Sequence, residues 1–303
     1  MNILMFMDVI AQFLFGLSKA AILFLIACGL SIIFGMLNVV NFAHGSLFMF
    51  GGFFAISLIR IFGYSDVSLW VVLLLVAPLC VALLGIALKY FIDVSARGTA
   101  EIVAMNSLIF TIGLAMIFSD LARTIWGADV YSYLKPSLLT GSLRITGVSF
   151  PYYDVFNILL IVVLGSLLTL LFFKTKIGAI IRAIAYDERM ASAIGIDTKR
   201  ISLFMFMLGA FLAGLGGAIG SMVGEVNFMT WEKVIVEAFV VAVIGGLGSF
   251  RGALIGALII GVTEAFAIFF FARLGPGVGW ITMFIVLAIV LLIRPRGIFG
   301  GRF

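Results

Sequence analysis

Nine stretches of this 303-residue chain, at about 11–34, 42–60, 68–89, 102–122, 154–173, 201–222, 234–247, 252–272 and 277–293, consist almost entirely of apolar residues. A helix needs about 20 such residues to cross a hydrocarbon core roughly 30 Å thick. No water reaches the backbone inside lipid, so a spanning segment is either a helix or a strand of a closed barrel. The runs are continuous and do not alternate apolar with polar, which excludes an outer-membrane barrel. The sequence therefore predicts an all-α fold: a polytopic transmembrane helical bundle of about eight or nine hydrophobic segments, with 1–303 forming one membrane domain. The stretch 234–247 is short enough to be re-entrant. Composition agrees, with 64% hydrophobic and 11% charged residues, against about half and a quarter in soluble domains.

Several function classes drop out. The chain has one histidine and two cysteines, Cys28 and Cys80, both inside apolar runs. They offer no metal-ligand spacing and no disulfide framework. No nucleophile–base constellation appears, so no catalytic residue and no cofactor is predicted. The GxxxxGK[ST] phosphate loop is missing, so the chain does not hydrolyse ATP by itself. A net charge of +5 reflects basic loops and does not point to nucleic acid. The opening MNILMFMDVIAQFLFG lacks a basic n-region and reads as the lead into a retained helix.

The polar island Lys174–Arg200 carries six Lys/Arg and three Asp/Glu, yet places Ile177, Ile180, Ile181 and Ile184 at helical spacing. A connecting loop has no need of that pattern; an amphipathic helix that docks on another protein does. With the tail (Arg294, Arg296, Arg302), Lys89, Arg97 and Arg251, twelve of nineteen basic residues fall on one side. The excess of Lys and Arg assigns that side to the cytoplasm. The C-terminus is then cytoplasmic, and nine full spans put the N-terminus outside, eight inside. The longest loop on the other side, about Thr124–Tyr153, is rich in tyrosine, as an interfacial belt is.

Polar residues at membrane depth are the candidates for function. Asn38–Gly45 (NVVNFAHG) interrupts two apolar runs with Asn38, Asn41, His44 and Gly45. It is either a pathway-lining or gating element of broken backbone or a polar turn satisfied locally; the residues alone leave both open. Glu237 and Glu264 are the deepest carboxylates, read as a proton relay or substrate contact, or as partners of Lys233, Arg251 or Arg273. Asp120 and Arg123 have the spacing of an interfacial ion pair. Gly216-xxx-Gly220-xxx-Gly224 and Gly248-xxx-Gly252-xxx-Gly256 put glycines on one helix face for close packing, or along the seam of a path.

Four segments carry a family resemblance, in order and over nearly the whole chain: Gly29–Phe53, Ile177–Asp197, Val243–Gly261 and Leu291–Gly300. They resemble the signatures of the inner-membrane permease subunits of branched-chain amino acid ABC transporters. The resemblance implies a transport subunit, not an enzyme, in a multi-pass arrangement in the bacterial inner membrane. The partners it implies are cytoplasmic ATP-binding subunits, a second related permease (a heterodimer) and a periplasmic substrate-binding protein delivering a branched-chain or other hydrophobic amino acid. It marks 174–200 as the cytoplasmic coupling segment, with Ile184, Asp187, Glu188, Ala193 and Gly195 touching the ATPase and Arg182 and Arg189 as charged flanks. Permeases for urea and short amides look similar. The competing classes are an ion-coupled secondary carrier, motivated by Glu237 and Glu264, and a channel-like protein.

Overall fold

A computed structural model describes residues 2–37, 39–63, 65–95, 100–132, 135–145, 148–275 and 277–300. Each of the nine apolar runs becomes helix. The long elements are α1 (Asn2–Leu37), α2 (His44–Phe62), α3 (Asp66–Val71), α4 (Ala77–Ser95), α5 (Ala100–Trp126) and α6 (Tyr152–Lys174). There follow α7 (Lys176–Tyr186), α8 (Glu188–Ala193), α9 (Thr198–Gly220), α10 (Thr230–Gly245), α11 (Phe250–Phe270) and α12 (Val278–Ile293). One wide turn of π-helix, Val72–Val76, joins α3 to α4, so that 66–94 is a single span.

Seven of these segments are long and apolar enough to cross a membrane. The other two, α10 and α12, have 16 residues each, about 24 Å of helix. That falls short of a hydrocarbon core roughly 30 Å thick; α10 takes in most of the stretch 234–247, whose shortness left the choice between eight and nine.

Where side chains and backbones meet shows which ends lie together. At one end the Arg60 guanidinium stands 5.3 Å over the Tyr131 ring, Tyr131 bridges the backbone of Val226, and the Tyr153 hydroxyl donates to the Ile219 carbonyl at 3.2 Å. The ends of α2, α5 and α9 and the start of α6 therefore share one side. At the other end the tail bonds back, Ile298 N–H to Ile244 O and Phe299 N–H to Gly245 O, both at 2.9 Å. There, too, Arg182 donates to the Phe172 carbonyl and Arg251 lies 4.2 Å over the Phe173 ring. The second end is the basic one. The opposite loop holds a feature the sequence reading missed, an antiparallel hairpin of β1 (Ser142–Ile145) and β2 (Val148–Pro151), paired from Ser142↔Pro151 to Ile145↔Val148.

The mast of the bundle is α1, which packs chiefly on α11 and α9, while α5 is the most lipid-exposed span. Small residues let the backbones approach. A Cβ on Gly29 would lie 2.5 Å from the Gly209 carbonyl oxygen, and one on Gly209 would lie 2.8 Å from that of Gly29. The glycine seams predicted from spacing hold only in part. Helix α9 ends at Gly220, so Gly224 is off it. Gly248 sits in the α10–α11 turn with φ +82° and not on α11. The real approach of α11 to α10 is Gly252 against Gly245 and Gly256 against Val241.

Lys89, taken as a loop cation, is buried within α4 and pairs with Asp93 at 2.5 Å. Arg123 stands 5.3 Å over the Phe228 ring; among the described residues it makes no ion pair with Asp120.

The packing predicts that Gly209→Leu lowers stability by about 1–3 kcal/mol or prevents assembly, since overpacking displaces backbone. Gly113→Ala, where an added Cβ meets nothing within 4 Å, leaves the thermal midpoint unchanged or raises it. Unfolding of the detergent-solubilised variants, followed by fluorescence and size-exclusion chromatography, checks both.

Candidate functional site

Three regions carry the polar chemistry. The first is the break between α1 and α2. Asn38 lies outside the described residues. From Val39 to Asn41 the backbone is irregular, and a turn at Phe42–Ala43 leads into α2 at His44. Thr111 of α5 anchors the break by accepting the Phe42 N–H at 3.1 Å. Asn41 and His44 are wholly buried, and Gly45 lies on the Trp231 carbonyl, 2.5 Å from where a Cβ would stand. The His44 Nε2 meets the Ile26 carbonyl at 3.1 Å.

Neither half of the Asn41 amide has a partner, nor does His44 Nδ1; the buried hydroxyls of Ser31, Ser46 and Ser107 are also unpartnered. Each such group costs about 1–3 kcal/mol. The structure therefore brings Asn41, His44 and Gly45 together, with His44 bonded through Nε2 and the Asn41 amide and His44 Nδ1 without partners. It also shows them facing protein in this conformation.

The second region is the basic end. Thr175 caps α7 by accepting the Gly178 N–H at 3.0 Å. Asp187 caps α8 through the Met190 N–H at 3.0 Å, and Asp197 caps α9 through the Arg200 N–H at 3.1 Å. Gly195 turns the chain between α8 and α9 at φ +88°, in open space. Within the amphipathic stretch Ile181 and Ile184 are buried against the chain itself. Ile184 is therefore not a contact for another protein in this conformation: its side chain completes the core that holds α7 down. Arg182 likewise turns inward, to the Phe172 carbonyl and over the Phe173 ring at 5.6 Å. Asp187, Glu188, Ala193 and Gly195 do lie exposed. The large apolar side chains offered outward are Tyr186, Met190 and Ile194, exposed by 71%, 64% and 71%. Sequence reasoning missed them because it followed the isoleucines. The signal was a second apolar trio, spaced by four, beginning at Tyr186.

The third region lies at the end away from the basic segment. Here a cavity of about 430 Å³ opens between α1, α6 and α10. Lys19, Asp154, Asn157, Lys233 and Glu237 are among its lining residues. The Ser18 hydroxyl donates to Asp154 at 2.5 Å and accepts from the Asn157 Nδ2 at 3.0 Å. At the rim, the Lys135 ammonium stands 5.1 Å over the Tyr153 ring.

Glu264 pairs with Lys19, a partner not considered from sequence, and is pressed by α12, where a Cβ on Gly279 would come within 2.6 Å of its Oε1. Glu237 faces the cavity without an ion-pair partner among the described residues. The two carboxylates thus sit in one region, Glu264 paired with Lys19 and Glu237 within electrostatic reach of Lys19 and Lys233. Lys19 was legible as the one cation inside the first apolar run; Asp154 and Asn157 sit one helical turn apart at the start of the fifth.

Comparison with known proteins identifies the family. The family described as branched-chain amino acid transport system / permease component matches residues 12–294. The high-affinity branched-chain amino acid transport system permease protein BraD of Pseudomonas aeruginosa is 30% identical over 301 residues, 95% of each chain. The permease protein LivH of Escherichia coli K12 is 30% identical over 97% of this chain and 96% of its own. A probable LivH from Methanocaldococcus jannaschii is 30% identical over 92% and 89%. A solved structure, PsaBC from Streptococcus pneumoniae in complex with Fab, aligns over 94% of this chain and 92% of that one at 15% identity and a TM-score of 0.46, too loose a likeness to compare geometry. On the family match and on the full-length relatives, this multi-spanning chain belongs to the branched-chain amino acid transport permease family.

Proposed function

We propose that this protein is a permease subunit of an ATP-driven importer in the bacterial inner membrane. It forms the translocation path for branched-chain or other hydrophobic amino acids delivered by a periplasmic binding protein. Two ATP-binding subunits supply the energy from the cytoplasm, and a second, related permease completes the path.

The observation that carries this reading is the capped α7–α8 segment at the basic end. It is fixed to the bundle from beneath by Ile181, Ile184 and Arg182 and presents Tyr186, Met190 and Ile194 outward. A segment pinned on one face and apolar on the other transmits force from a docked partner to the spans. The tie runs further: Arg182 and Arg251 share the Phe173 ring, so α7 is linked through α6 to the first turn of α11.

The ion-coupled alternative leans on Glu237 and Glu264; Glu264 is paired with Lys19, while Glu237 lines the cavity without an ion-pair partner among the described residues. In the importer reading Asn41 and His44 belong to the path in its closed state, their orphaned atoms meeting water or substrate when the α1–α2 break opens.

Two outcomes follow. Replacing Met190 or Ile194 by Asp cuts co-purification of the ATP-binding subunits about tenfold or more. Arg182→Glu keeps them bound but lets ATP be hydrolysed without uptake. Affinity purification from native membranes, with ATPase and uptake assays, reads both; wild-type coupling in all three variants overturns the assignment. For the path, Asn41→Leu removes a buried unpaired amide, so the thermal midpoint stays level or rises while uptake falls about tenfold. Unchanged uptake takes Asn41 out of the path.

A further inference from the structure

Four cations of the basic end gather where two spans leave a furrow. Arg182 and Arg251 stand 5.6 and 4.2 Å from the centroid of one ring, that of Phe173. Lys174 and Lys176 follow that ring in the chain and are exposed, as is Arg251. Among the described residues none of the four has a carboxylate within ion-pair distance. Like charges held this close repel one another. Arg182 turns an N–H to the Phe172 carbonyl, whereas the side chains of Arg251 and the two lysines donate no hydrogen bond among the described residues. A guanidinium beside an aromatic ring keeps its N–H groups for an anion. Next to this cluster a groove of about 580 Å³ lies between α1, α6 and α11. Leu17, Ile158, Leu170, Leu254 and Leu258 line it, Leu170 one turn before Lys174 and Leu254 one turn after Arg251. The Thr169 hydroxyl, also in the lining, donates to the Gly165 carbonyl at 2.6 Å and so asks for no other acceptor. Gly165 widens the groove, since a Cβ there would meet nothing within 4 Å. From Ile158 to Leu170 the groove follows α6 for about 18 Å, against roughly 15 Å for one leaflet's half of the hydrocarbon core. Val162 and Leu170 are exposed on this flank, so the groove opens sideways onto the bilayer.

We propose that this groove is a binding site for an anionic phospholipid of the cytoplasmic leaflet. One acyl chain lies along α6 over Gly165. Arg251 and Lys174 hold the headgroup phosphate, and Lys176 and Arg182 add to the positive field around it. The apolar half of the site selects a lipid over a soluble anion, which gains nothing from the groove. The cationic half selects phosphatidylglycerol over phosphatidylcholine. Both carry the phosphate, but choline brings a fifth cation into a cluster whose members already repel one another. A helix of another subunit would have to bring carboxylates of its own to settle these charges, whereas the cytoplasmic leaflet supplies anions along the whole perimeter. The bound lipid stands at the joint where α7 meets α11. The site rests on the membrane-spanning fold and its basic end, and not on the importer reading.

The experiment uses the full chain with its co-purifying subunits, in nanodiscs of phosphatidylcholine and phosphatidylglycerol in equal parts, some of the latter carrying a mid-chain diazirine. After extraction into mild detergent, mass spectrometry reads the retained lipid and the labelled peptides. Phosphatidylglycerol is expected to be retained well above phosphatidylcholine, and light is expected to attach the probe within 158–170 and 254–258. Arg251→Gln lowers retention about fivefold, the loss of one cation facing an anionic headgroup, and Arg251→Lys keeps most of it. Gly165→Leu fills the groove without a clash and lowers retention at least as far. Equal retention of the two lipids, labelling spread evenly over α5 and α12, or wild-type retention in both Arg251→Gln and Gly165→Leu overturns the site. Release of the lipid by inorganic phosphate also overturns it and reassigns the cations to a soluble anion. Labelling of the groove in the chain purified alone, but not in the complex, overturns it in favour of a helix of another subunit.

Discussion

The backbone contact of α1 with α11 and α9 organises everything else in this protein. In lipid, apolar side chains gain nothing by leaving the lipid tails for one another, so helices hold together through close van der Waals fit and through the few polar groups they share. Here the fit is made by glycines at Gly16 and Gly261, and at Gly29 and Gly209. The shared polar group is the Lys19–Glu264 pair. A buried pair of this kind is a weak source of net stability, but removal of one member leaves a charge with nowhere to go. Its stronger effect is on register: it fixes how far α11 can slide along α1, and so sets the shape of the cavity that Lys19 lines.

That register connects the two ends of the molecule. Arg251 stands on Phe173 beside α7, and Glu264 stands beside the cavity. Thirteen residues of one uninterrupted helix separate them, about 20 Å. On the importer reading, a pull on α7 reaches Phe173, then the first turn of α11, then the Lys19–Glu264 pair, with no flexible link between. Where glycines meet, few side chains stand between the two backbones, so α11 can shift along α1 within the limit that the Lys19–Glu264 pair sets. The same residues that permit close packing therefore permit the shear that alternating access needs.

Much of the fold was written in the sequence. The nine apolar runs found their helices, because hydropathy over twenty residues reflects a solvent constraint that tertiary packing cannot override. The basic island was legible for the same reason, as charge excluded from lipid. Pairwise geometry was less legible. Glycine spacing suggested faces but could not show that α9 stops at Gly220 or that Gly248 belongs to a turn. Ile184 looked like an outward contact since amphipathic spacing does not say which face meets the chain itself. The hairpin at 142–151 was missed because four-residue strands give almost no pattern. Lys19 as partner of Glu264 lies 245 positions away in the chain, and no local signal pairs them.

The buried polar atoms that lack partners divide in an instructive way. All are closed off from solvent: the Asn41 amide and the His44 Nδ1 lie at the α1–α2 break, and the Asn157 Oδ1 lies on α6, in a residue that lines the outer cavity. A protein under selection for stability alone replaces such groups with apolar ones, since each costs free energy in every closed molecule. Their retention makes sense if another state satisfies them. On the importer reading, the orphan atoms at the α1–α2 break meet water or substrate when that break opens.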